Sequence, residues 1–228
     1  MKRILAIVLS ILIIAALAAC GNESDPAPGN GGSNAGSGAD ANTGAFNADQ
    51  VVSNIDVKVE SYKGYSSSYL VLILTNNAGV TCDLTIEADF YGADDKIVGT
   101  KSDTIRAFVN GTTVISSLMS EEEFSKYDYK LTAEETGDVF VSVDQDLTTQ
   151  VTTTSKKAIV SVTNNGSVKA DNVTIYVLFY KGDTLIDCGW GLMSDVAPGA
   201  TMNEEVSCWA DDGFDSVKAY AHCYNYAI

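Results

Sequence analysis

Histidine occurs once in this chain of 228 residues, proline three times, and lysine and arginine together 14 times against 30 acidic residues. Each scarcity excludes a kind of chemistry. A Ser-His or Cys-His hydrolase would have to use His222, yet that residue falls inside an alternating segment expected to be a strand, and no Gly-x-Ser-x-Gly elbow accompanies it. The basic deficit, a formal net charge of −16, removes the patches that nucleic acid and anionic lipid surfaces demand. Zinc would lack a Cys-x-x-Cys pair and a second histidine. Calcium would lack an Asp-x-Asp-x-Asp-Gly loop, although carboxylates cluster at Asp94 and Asp95 and at Asp211, Asp212 and Asp215. No phosphate-cradling glycine loop occurs. The expectation is no metal, no cofactor, no catalytic residue and no nucleic-acid partner.

Only one long apolar run is present, from Ile4 to Leu17, headed by Lys2 and Arg3 and followed by Ala18, Ala19 and Cys20. It is short and wrongly flanked for a lasting transmembrane helix, and it describes a secretory peptide that is removed. Leu17-Ala18-Ala19-Cys20 resembles the lipobox of bacterial lipoproteins. That resemblance implies that the Cys20 thiol receives a diacylglyceryl group and becomes the new N-terminus, two acyl chains being what stable anchoring needs. The plainer alternative is an ordinary signal peptide with a chance cysteine. No second stretch of bilayer length follows, so residues 1–20 are expected to be the signal and lipobox. The rest is expected to be soluble, membrane-anchored and outside the cytoplasm. Removal of Lys2 and Arg3 takes the basic count from 14 to 12 against 30 acidic residues, a net charge of −18.

Residues 21–48 are rich in Gly, Ser, Asn and Ala, with Phe46 the only large apolar side chain. Such a composition buries too little apolar surface to offset ordering entropy, and a flexible coil of this length reaches roughly 30 Å. It is read as a spacer. The Pro spacing or aromatics of a recognisable ligand segment are missing from it.

The remainder shows an internal duplication. Leu74-Thr75-Asn76-Asn77 matches Val162-Thr163-Asn164-Asn165. Leu84-Thr85-Ile86 with Phe90-Tyr91 matches Val173-Thr174-Ile175 with Phe179-Tyr180. Val109 to Thr113 matches Ala197 to Thr201, and Phe124 matches Phe214. Apolar residues alternate at Ile55, Val57, Val59, at Leu84, Ile86, Ala88, Phe90, at Val139, Val141, Val143, at Val173, Ile175, Val177, Phe179, and at Val217, Ala219, Ala221, Cys223. This is the period of half-buried strands. Asn76-Asn77, Asn164-Asn165-Gly166, Lys181-Gly182-Asp183 and Pro198-Gly199 are turn formers between them. The pattern predicts an all-β fold of two tandem immunoglobulin-like antiparallel β-sandwiches, residues 49–135 and 136–228. One helical turn is expected at Ser120, where Ser120 and Glu123 would form a capping box ahead of Phe124.

With Cys20 assigned to lipid, Cys82, Cys188, Cys208 and Cys223 remain, one in the first copy and three in the second. A Cys208–Cys223 disulfide is preferred; its loop would contribute about 3 kcal/mol. Buried free cysteines are the alternative. The second copy also carries aromatics where a solvent face is expected. With Val173, Ile175, Val177 and Phe179 inward, Tyr176, Leu178 and Tyr180 point outward. The last strand likewise turns Tyr220, His222, Tyr224 and Tyr226 outward. In an immunoglobulin-like sandwich these two strands are neighbours, so a continuous aromatic binding face is expected, unless it packs on the other domain.

At Phe179-Tyr180 and Pro198-Gly199-Ala200-Thr201 the second copy resembles the FxLYD-type immunoglobulin-like domains of bacterial lipoproteins, and the resemblance extends to both copies. It implies an immunoglobulin-like fold in an extracellular setting and brings no catalytic residue. Together these readings predict a lipid-anchored, non-enzymatic binding or scaffold module of the bacterial envelope, its partner an envelope protein or glycan. The alternative is a carbohydrate-binding or glycan-active envelope protein using tyrosines to stack sugars.

Overall fold

The period-two segments form strands and the turn formers fall between them. The computed structural model describes residues 46–211 and 213–227. The signal segment, Cys20 and most of the expected spacer lie outside the described residues. A short helix, α1 (Ala48–Ser53), precedes six strands: β1 (Ile55–Lys63), β2 (Ser68–Asn76), β3 (Cys82–Tyr91), β4 (Ile97–Phe108), β5 (Thr113–Ser120) and β6 (Lys126–Glu135). Then come β7 (Phe140–Ser142), a 3-10 turn at Asp144–Asp146, β8 (Leu147–Thr153), β9 (Lys157–Asn164), β10 (Ala170–Lys181), β11 (Thr184–Val196), β12 (Thr201–Ser207) and β13 (Ser216–Tyr226). The protein is all-β, and every strand pairing is antiparallel.

The duplication in sequence is a duplication in topology. Sheets ordered β1-β2-β5 and β4-β3-β6 enclose one core, and sheets ordered β8-β9-β12 and β11-β10-β13-β7 enclose another. Strand for strand the second set repeats the first, with β7 added. Inward residues are those the alternation names. Leu84, Ile86, Ala88 and Phe90 of β3 are buried in the first core, and Val173, Ile175, Val177 and Phe179 of β10 in the second. The matched phenylalanines form matched contacts, Phe90 with Phe124 at 4.8 Å between ring centroids and Phe179 with Phe214 at 4.9 Å.

A buried asparagine ties each copy together in the same way. Asn76 Nδ2 donates to the carbonyls of Val80 (2.9 Å) and Phe108 (2.7 Å), and its Oδ1 accepts from the Ala78 N–H (2.9 Å). Asn164 Nδ2 donates to Val168 (2.8 Å) and Val196 (2.9 Å), and its Oδ1 accepts from the Gly166 N–H (2.9 Å). The backbone around each is repeated too: Gly111 donates to the Asn76 carbonyl and Gly199 to that of Asn164. Both glycines have positive φ, +83° and +72°, which is why Gly stands at this turn in both copies.

The lead-in to each copy lies along that copy's last strand. Helix α1 packs beside β6, with Val51 in the first core, while β7 pairs with β13. Sequence reasoning missed α1. Asn47 Oδ1 caps it by accepting from the Gln50 N–H at 3.1 Å, and Phe46, expected in the spacer, packs against the first core. The helical turn expected at Ser120 does not form. Ser120 closes β5, and its hydroxyl donates to the Glu122 carbonyl at 2.8 Å. The expected strand at 139–143 shrinks to three residues. Val139 and Val141 are exposed while Phe140 packs edge-on against Tyr224 at 5.1 Å.

A third apolar cluster joins the copies. Val71, Ile73 and Ile115 from the outer face of β2 and β5 meet Leu178, Tyr180 and Leu185 of the second copy, with Tyr62, Tyr176, Cys188 and Tyr220 around them. The aromatic face expected to be open is therefore covered. β10 and β13 are neighbours with Tyr176 opposite Tyr220, but the side turned from the core packs on the first sandwich. The described residues form one compact unit.

Candidate functional site

The covering is incomplete at one end, and there the two sandwiches leave a cleft of about 850 Å³. The β1–β2 hairpin supplies one wall. Its turn begins at Gly64, whose N–H donates to the Ser67 carbonyl at 2.8 Å. One pair out from the turn, beyond Lys63 and Ser68, Tyr62 and Tyr69 lie opposite each other and stack with ring centroids 4.6 Å apart and planes 3° from parallel. Tyr65 projects from the turn itself and is exposed. β5 adds Ser117 and Met119. The other wall comes from Thr174 and Tyr176 on β10, Asp187 to Trp190 on β11, Glu205 to Ser207 on β12, and Trp209 just beyond.

Close packing of β11 on β12 makes the second wall continuous. A Cβ on Gly189 would collide with Val206 Cγ1 and approach the Ser207 carbonyl at 3.3 Å, so only glycine lets the strands meet there. Trp190 and Trp209 are the only tryptophans in the chain, and both line this cleft, 68% and 85% exposed. Large aromatic side chains left in water at a concave surface are the usual mark of a contact site.

The polar groups of the cleft are mostly hydroxyls, and its carboxylates are already engaged. Asp187 Oδ1 accepts from the Cys188 N–H at 2.9 Å and Oδ2 from the Trp209 N–H at 2.6 Å, which fixes the Trp209 backbone to β11. Glu205 pairs with Lys157 at 2.6 Å. Among the described residues no lysine or arginine lines the cleft. Tyr62 donates to the Cys188 carbonyl at 3.4 Å across the junction. Burial pushes the Tyr176 hydroxyl up to about 12, with the Asp103 charge adding to the effect, and burial pushes the Cys188 thiol up to about 12 as well. Both groups are held neutral at physiological pH.

The sequence-predicted residues are dispersed relative to this cleft. Tyr176 lines it. Leu178 and Tyr180 are buried in the junction behind it, where the Tyr180 hydroxyl donates to Glu60 Oε2 at 2.9 Å. Tyr220 is half-buried beside them. Further along β13, His222 Nδ1 sits 2.7 Å from Asp144 Oδ2, and Asp144 Oδ1 accepts from the Cys223 N–H at 2.6 Å. Nε2 of His222 is buried with no hydrogen-bond partner among the described residues. The next residue, Cys223, turns into the second core, on the opposite face of the sheet, so this Asp-His pair has no thiol beside it. Tyr224 packs on Phe140.

The expected Cys208–Cys223 disulfide is corrected: both are free thiols, as are Cys82 and Cys188. Cys208 and Cys223 lie in the second core, where burial raises both thiols. Cys188 lies on the side facing the first sandwich. Among the described residues no group of three or more His, Cys, Asp or Glu is placed to hold a metal ion.

Alternation sorts side chains to two faces but says nothing of what covers them, so it led to β10 and β13 and passed over the tryptophans. Two signals would have found the cleft. Tyr69-Leu70-Val71-Leu72-Ile73-Leu74 is an unbroken apolar run, as expected of a strand buried on both faces, and it marks β2 as the junction strand. Trp190 also stands between Gly189 and Gly191 in mid-strand, and Trp209 falls just before the turn formers Asp211-Asp212-Gly213.

Comparison with known proteins adds little. No family model and no curated protein matches the chain. Among solved structures, a red sea bream transglutaminase aligns with 75% of this chain and 31% of its own, at 9% identity and a TM-score of 0.21, a likeness from which neither fold nor activity follows.

Proposed function

We propose that this chain is a lipid-anchored, non-enzymatic binding module of the bacterial envelope, held outside the cytoplasm by Cys20 and a flexible spacer, with the cleft between its sandwiches as contact site. The observation that carries the reading is that the chain's two tryptophans both stand largely exposed on the walls of one concave surface. The Leu17-Ala18-Ala19-Cys20 segment and the likeness to FxLYD-type domains of bacterial lipoproteins support the setting. The thiols speak for binding rather than nucleophilic catalysis, since burial raises each of them.

The test has two arms. Labelled palmitate should enter the full-length protein and be lost with Cys20→Ser, which should also release the protein from the membrane. The mature chain immobilised on beads should retain a component of solubilised envelope that the double variant Trp190→Ala, Trp209→Ala does not. Equal retention by the double variant would remove the cleft from the proposal, and an unacylated mature chain would remove the anchor.

A further inference from the structure

We infer that the cleft takes a neutral glycan, a short stretch of uncharged sugar chain stacked on Trp190, Trp209 and Tyr65. This rests on the cleft being the contact site and names what fills it.

Anionic ligands have no counter-charge here. Among the described residues no lysine or arginine lines the cleft, Lys157 at its edge is taken up by Glu205 at 2.6 Å, and Asp187 adds negative charge in a chain whose formal net charge is −16. A phosphate, a uronate or an acidic peptide would be desolvated against carboxylates. Cationic ligands find each carboxylate among the described lining residues already partnered. Both Asp187 oxygens are bound to backbone N–H groups at 2.6 and 2.9 Å, and Glu205 is held by Lys157 at 2.6 Å. A purely apolar ligand would bury the hydroxyls of Ser66, Thr174 and Ser207 without partners, which is costly. What remains is a neutral ligand with both apolar faces and many hydroxyls.

A pyranose ring has that form. Its C–H face carries slight positive charge and sits against the negative face of an aromatic ring, while hydroxyls around its rim donate and accept in one plane. The cleft offers aromatic surfaces on both walls with serine, threonine and tyrosine hydroxyls between them. Its volume of about 850 Å³ lies within the size range of small-ligand sites. The two walls are also tied to each other through Tyr62 and Cys188, and the sandwiches behind them through Tyr180 and Glu60, so the aromatic surfaces are positioned before any ligand arrives.

The chain carries its own reporter, because both tryptophans line the cleft and every change in indole emission arises there. The mature chain would be titrated with neutral oligosaccharide series (cello-, xylo-, malto- and chito-oligosaccharides) and with oligogalacturonates, read by fluorescence and by calorimetry. The expected result is saturable binding of at least one neutral series and none of the oligogalacturonates. Calorimetry on Trp190→Ala and Trp209→Ala should show about tenfold weaker binding for each, with Trp209→Tyr restoring most of it. Circular dichroism should be unchanged in all three. If no neutral series binds while tryptophan-dependent capture of an envelope protein succeeds, the glycan assignment falls and the binding module stands. If neither occurs, both fall. Equal binding of the oligogalacturonates overturns the exclusion by charge.

Discussion

Replacement of Asn164 by alanine should be among the most damaging single changes in the second sandwich, although it removes only one amide. Asn164 is fully buried and makes three hydrogen bonds, two donated to the Val168 and Val196 carbonyls and one accepted from the Gly166 N–H. Alanine leaves all three backbone groups without this partner. The Val196 carbonyl is buried and carries the full penalty of about 1–3 kcal/mol for an unsatisfied group, while the Val168 carbonyl and Gly166 N–H can partly regain water. The sum is about 3–4 kcal/mol, a large share of the roughly 5–15 kcal/mol that separates a domain from its unfolded chain. Urea unfolding can be followed by tryptophan emission, since Trp190 and Trp209 both belong to this copy. The midpoint should fall with the m-value unchanged. Asn76→Ala, which breaks the same three bonds in the first copy, should cost the same within about 1 kcal/mol when read by circular dichroism. A loss below about 1 kcal/mol at Asn164 would refute the assignment of this amide as the tie between strands and turn.

Two further outcomes are expected. The tyrosines of the junction should make the fold sensitive to alkali. Tyr176 is pushed from 10.0 up to about 12 by burial, and Tyr62 and Tyr180 are also raised, chiefly by burial, so their stabilising contribution is complete below pH 10 and is lost as pH rises toward 12. Tyrosinate absorbance that appears together with loss of the fold would agree, whereas full ionisation near pH 10 in a folded protein would not. The thiols of Cys82, Cys188, Cys208 and Cys223 should be inert to a thiol reagent at neutral pH until the chain is unfolded, because burial raises each of them. Mass analysis of the non-reduced protein showing a Cys208–Cys223 bond would contradict this.

The strands were legible because their signal is local. Val173, Ile175, Val177 and Phe179 need no knowledge of the rest of the chain to be assigned to one face, and the repetition of Thr-Asn-Asn at 75–77 and 163–165 marks one turn made twice. The junction is a long-range fact. That Leu178 and Tyr180 meet Val71 and Ile73 depends on how two finished sandwiches dock, which no window of sequence encodes. The unpaired state of Cys208 and Cys223 is of the same kind, since an interval in sequence does not fix how two strands place their sulfur atoms. Ser120 shows the converse error. A capping motif predicts a helix only where the following residues are free to coil, and here β6 begins at Lys126 and pairs along β3.

In each copy the segment that comes first lies along the strand that comes last, α1 beside β6 and β7 beside β13. A ribosome makes these partners at opposite ends of the task. Neither half can shut until its last strand has been made, so the polypeptide seals in two successive steps, the earlier once Glu135 is out and the later only when Tyr226 follows. A premature stop inside 216–226 would thus leave one finished half joined to an unsealed one, with β10 open along its length for proteases or neighbouring strands to seize.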